Sequence, residues 1–207
     1  MSDIHGKLYN PNIWNHLGDR IIHTSLPLKN LESHSDPDGQ CQFVGRASII
    51  NKLVKVPEFP QPVPKLKDNR PIATIRDTKT MGLGVFATRV ILPGELVHAE
   101  RPLLICPTNM IQFINKDRTD DYNDVLLCIK MADQHMTEAV DRMDEERRRA
   151  YLSLADDYNA EHRNPDPLTR NSLIRIALTN EFSSDDTTDC FPGYGIVCNF
   201  GSRINHR

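Results

Sequence analysis

Hydrophobic positions change their spacing twice along the 207 residues. Between residues 72 and 105 they come as short apolar runs, at 72–75, at Val85-Phe86 and at 96–105, with Pro93-Gly94 as a turn signal. This predicts strand, glycine turn, strand, turn, strand. After Pro107 the period lengthens to near four. Tyr122, Val125, Leu126, Ile129, Ala132 and Met136 then share one helical face. A second stripe follows at Val140, Met143, Ala150, Tyr151 and Leu154. Its charged flank, residues 141–149, reads as a solvated helix surface, with Glu145 placed four before Arg149 for a supporting pair. Asn164-Pro165 is a cap-plus-proline start, and a third helix from about 167 to 180 is expected to bury Leu168, Leu173, Ile176 and Ala177. Ile196-Val197 returns to a short strand. The expected class is α+β.

Residues 1–69 read as an extension and linker outside the core. Asn10-Pro11 can open a helix whose face carries Ile13, Trp14, Leu17 and Ile21, a short docking helix. His5, His16, His23 and His34 lie among polar residues and suggest no chemistry. Pro57, Pro60, Pro62 and Pro64 form a stiff spacer, read as a plain linker in preference to a ligand for an SH3-type groove. The domain is expected to begin near residue 70.

Composition narrows the class. A net charge of -3 argues against a general nucleic-acid binder and points to no membrane surface. No apolar run approaches the length of a membrane-spanning helix, and the first residues lack the pattern of a signal peptide. Five widely spread cysteines suggest reduced thiols and a nuclear or cytoplasmic setting. Cys190, Cys198 and His206 are spaced by eight, unlike the close pairs of structural zinc sites, so no metal is expected.

Residues 80–88, Thr-Met-Gly-Leu-Gly-Val-Phe-Ala-Thr, hold the most specific local signal. Gly82-x-Gly84-x-x-Ala87 matches a dinucleotide fingerprint, with Glu100 near the place of its ribose-binding acid. That motif needs a strand ending on the first glycine and a long helix after it. Here polar residues 76–80 intervene, and Pro93-Gly94 would stop a helix after about two turns. A strand-to-strand turn fits the context better.

Taken in order, residues 75–88, Gly94-Glu95, Glu100 and Pro102-Leu103-Leu104 resemble the N-terminal half of a SET domain. Thr179-Asn180 and the closing Arg203-Ile204-Asn205-His206 resemble the points where the SMYD-like branch resumes after a helical insertion. The resemblance covers roughly residues 70–207. It implies a fold of short strands, at 70–106 and again from 183, around an insertion at 107–182. It also implies transfer of a methyl group from S-adenosyl-L-methionine to a lysine of a protein substrate, histone or non-histone. By the same resemblance, Met81, Gly82, Leu83 and Gly84 would lie against the cofactor, and Asn180, Asn205 and His206 would hold its polar ends. A lysine nitrogen must then reach the methyl in line with the departing sulfur, as a neutral amine.

SET proteins continue the Asn-His pair with Ser-Cys-x-Pro-Asn, further strands and a catalytic tyrosine, whereas Arg207 follows His206 here. No catalytic residue is assigned, and Tyr194 cannot be mapped onto that tyrosine. The SMYD zinc finger has no counterpart between Arg89 and Cys106. The expectation is a SET sequence cut short as a fragment or gene-model truncation, with weak or no methyl transfer and unpaired strand edges near Ile196 and Gly84. The alternative is a non-enzymatic interaction module using the helical insertion and the proline-rich arm.

Overall fold

Burial along one short strand fixes the centre of the fold. Residues 41–45 are all buried, although Gln42 is polar. The computed structural model describes residues 19–27, 38–57, 59–66, 71–80, 82–114, 121–156, 172–183 and 193–204. In chain order they form β1 (Ile21–Leu26), β2 (Cys41–Arg46), α1 (Ala47–Leu53), β3 (Ala73–Asp77), β4 (Leu83–Ala87) and β5 (Leu104–Pro107). There follow α2 (Met110–Ile114), α3 (Tyr122–Asp141), α4 (Glu145–Leu152), α5 (Ser172–Asn180), β6 (Glu181–Ser183), β7 (Tyr194–Val197) and a 3-10 turn at Gly201–Arg203. The α+β class is therefore observed.

Five strands make one sheet in the order β1-β2-β5-β7-β6, while β3 and β4 form a separate hairpin. β1 and β2 pair antiparallel over their whole length, and β2 joins β5 in parallel through Gln42↔Leu104 and Phe43↔Ile105. β7 is antiparallel to both β5 and β6. Alternation then sorts side chains onto two faces. Val44, Leu104, Cys106 and Val197 meet Met136, Tyr151 and Ile174 of the helical layer. Phe43, Ile22 and Tyr194 meet Ala47 and Ile50 of α1.

Two aspartates start α3 and α4. The Asp121 carboxylate accepts from the amides of Asn123 and Asp124, and Asp144 accepts from Arg147 at 2.8 Å. Tyr151, fully buried, donates its hydroxyl to the Leu173 carbonyl at 2.7 Å and ties α4 to α5. Arg175 and Asp156 add a two-pronged ion pair at 2.9 and 2.8 Å across the same junction.

Several expectations change. Within residues 1–69, three described elements belong to the body and not to an extension: β1, β2 and α1 supply a sheet edge, an inner strand and a covering helix. Ile21 belongs to β1 rather than to a docking helix, whose other residues lie outside those described. The proline-rich stretch is bound to the body, with the Val63 amide donating to Asp38 and Arg101 donating to the Gln61 carbonyl. Of the run 96–105, only its end enters a strand. Ile196 sits between two neighbours, so its strand is no open edge.

The helical stripes agree with the observed burial at Ile129, Ala132, Met136, Val140, Met143, Tyr151 and Leu154. Tyr122 points to solvent instead. The solvated surface includes the expected Arg149–Glu145 pair at 2.7 Å, but Arg147 turns inward and donates to the carbonyls of Arg101 and Pro102. α5 buries Ile176 and Ala177, with Leu173 half-buried; Leu168 lies outside the described residues.

Candidate functional site

The glycine turn joins β3 to β4. Asp77 accepts from the Lys79 amide at 2.8 Å, and the Thr78 amide donates to the Gly82 carbonyl at 2.8 Å. Gly82 has φ +72°, a conformation that favours glycine, and open space surrounds the position where its Cβ would be. Gly84 differs: it is an extended, buried residue of β4 opposite Arg76. Leu83, between them, is exposed. A strand follows the turn where a dinucleotide site requires a helix, which excludes the fingerprint reading.

β4 packs against the 3-10 turn Gly201–Arg203, and that turn is tied to several distant parts of the chain. The Glu100 carboxylate accepts from three consecutive amides: Asn199 at 3.1 Å, Phe200 at 2.9 Å and Gly201 at 2.7 Å. Ser202 donates its hydroxyl to the Asn180 carbonyl at 2.8 Å. Arg203 donates to the Ser153 hydroxyl at 2.8 Å and to Asn199 Oδ1 at 3.3 Å. Burial lowers the pKa of Arg203, and Glu100 opposes that fall.

Asn180 closes α5 and is buried. Its Nδ2 donates to the carbonyls of Ala155 at 2.7 Å and Ile176 at 2.8 Å, which uses both hydrogens. Only its Oδ1 is left to meet a ligand, as an acceptor. The strand β4, which begins at Leu83 and Gly84, and Asn180 thus both adjoin the 3-10 turn, by packing on one side and a hydrogen bond on the other. Met81, Asn205 and His206 lie outside the described residues.

Beside this junction is a groove of about 670 Å³ between the proline-rich residues 63–66, β3 and residues 97–99. His98 lines it, stacked at 3.9 Å on Phe200. Little in the junction suggests a nucleophile. Burial, reinforced by Glu100, pushes the Cys198 thiol up to about 12, so it is protonated at neutral pH. The Tyr151 hydroxyl is committed to Leu173, the Tyr194 hydroxyl accepts from the Arg46 amide at 3.1 Å, and Tyr122 is exposed. Among the described residues no group of three or more His, Cys, Asp or Glu is arranged to hold a metal ion.

In the sequence Glu100 stands only as one mark of the SET resemblance and shows nothing of its role at the 3-10 turn. Its partners are about a hundred positions away, so no local pattern announces them. Compared with known proteins, the chain matches no family model, no curated protein and no solved structure. No helix among the described residues is long and apolar enough to cross a membrane.

Proposed function

We propose that this chain is a SET-type protein of the protein-lysine N-methyltransferase family that binds S-adenosyl-L-methionine at the glycine hairpin. One observation carries the reading: the 3-10 turn that touches β4 also holds the Asn180 carbonyl, through the Ser202 hydroxyl. The hairpin and the helix end, marks about a hundred residues apart, are neighbours through one turn. A sulfonium cofactor bearing an ammonium-carboxylate tail suits such a place. It asks for backbone that can be approached closely, as beside the exposed Gly82, and a neutral acceptor, as at Asn180 Oδ1, more than for basic side chains.

Weak or no methyl transfer is expected from these 207 residues alone: among the described tyrosines, Tyr151 donates its hydroxyl to Leu173, Tyr194 accepts from the Arg46 amide, and Tyr122 is exposed on α3. Calorimetric titration with S-adenosyl-L-methionine tests the binding. The expected result is a one-site isotherm weakened about tenfold or more by Asn180→Ala, a loss of the size of one buried polar contact. Melting curves would confirm that the variant is folded. No heat from the native chain, or equal affinity in the variant, overturns the cofactor reading. Robust methylation of a lysine peptide overturns the expectation of inactivity.

One observation favours the second reading, a non-enzymatic interaction module. Leu127 and Met131 stand one turn apart on α3 and are 56% and 38% exposed. The proline-rich arm contributes less to it, since that arm is bonded to Asp38 and Arg101.

A further inference from the structure

We propose that Glu100 is a positioning residue for the cofactor site: its carboxylate acts as a built-in anion that shapes residues 199–201 and so seats Asn180 through the turn that follows. The functional part of this inference rests on the cofactor reading above.

The amides of Asn199, Phe200 and Gly201 converge on one carboxylate, with four contacts between 2.7 and 3.1 Å. Three successive amides facing inward form a concave donor set that a single anion satisfies, and charge makes each of these bonds stronger than a neutral one. The Glu100 side chain is only 18% exposed, so losing it would leave shielded donors without a partner. The shaped segment runs straight into Ser202, whose hydroxyl reaches Asn180, and Arg203, whose guanidinium reaches Ser153 and Asn199. Glu100 therefore governs where the end of α5 and the end of α4 meet the last described residues. Both its oxygens are already engaged with backbone amides. It acts through the turn, without touching a ligand.

The arrangement gives a readout that a mere loss of stability would not. Glu100→Ala opens a space the size of a small carboxylate while leaving the three donors aimed at it. In the full chain this variant should bind S-adenosyl-L-methionine about tenfold or more weakly, and amides 199–201 should lose protection against hydrogen exchange by a similar factor. Acetate at tens of millimolar should restore both, and chloride at equal ionic strength should restore neither. Unchanged protection, or protection that acetate fails to restore, overturns the proposal. Lost protection with undiminished cofactor affinity overturns its functional part. If the native chain binds no S-adenosyl-L-methionine, the cofactor reading fails and the functional part falls with it, while the exchange measurement still decides whether Glu100 shapes the turn. Should Glu100→Ala not fold, Glu100→Gln carries the exchange measurement, since it keeps one acceptor and should lose protection at only part of the segment.

Discussion

Nδ1 of His135 on α3 lies 2.8 Å from Nε2 of His23 on β1, and Nδ1 of His23 lies 3.1 Å from a Glu138 carboxylate oxygen. The carboxylate fixes the proton of His23 on Nδ1, so Nε2 accepts from His135. A second proton on His23 would face that donor and break the link between sheet and helix.

Burial lowers the pKa of His135 from 6.5, and Glu138 partly opposes this. A folded-state pKa below the unfolded one means that the unfolded chain binds more protons, so stability rises with pH. Stability from this site should be complete above about pH 7 and decline as pH falls through 6.5. His135→Gln should flatten the acid limb of melting temperature against pH below about 7. An unchanged limb would exclude the pair as its source.

Glu181 works in the opposite direction. Its Oε2 is buried with no hydrogen-bond partner, and burial pushes its pKa from 4.5 to about 7. With the folded value raised, this carboxyl's contribution is complete below pH 4.5 and is lost as pH rises through 7. Glu181→Gln should therefore stabilise the protein at pH 8 by roughly 1–2 kcal/mol, after allowing for solvent screening, and do little at pH 4.5. Denaturant melts at the two pH values would show the difference.

Gly45 leaves room for a ring. A Cβ there would come within 2.6 Å of Tyr194 Cε1 and 2.8 Å of Phe43 Cε1, both in the core against α1. Gly45→Ala should cost about 1–3 kcal/mol by overpacking, read as a lower urea midpoint with unchanged slope. A neutral result would mean that the two rings can move apart cheaply.

Helices were the legible part of this chain. Ile129, Ala132 and Met136 recur at helical spacing, and the core receives them as that spacing requires. β1 and β2 were missed for a physical reason. β2 is buried on both faces, so Cys-Gln-Phe-Val-Gly shows no alternation, and it lies between β1 and β5, the latter about sixty residues later. His23 looked inert among polar neighbours because its partners sit on α3. The glycine turn was readable at Gly82, where φ is positive, but Gly84 has the spacing of a turn residue and the geometry of a strand. Asn180 is expected at the cofactor's polar ends, but its donors are spent on Ile176 of its own helix and on Ala155, twenty-five positions earlier.

The order β1-β2-β5-β7-β6 has a consequence for how the molecule is made. During synthesis β5 leaves the ribosome with β2 available on one side, but its other neighbour, β7, is encoded nearly ninety residues later. Until that stretch emerges, the nascent sheet carries a bare flank that invites chaperones or other chains.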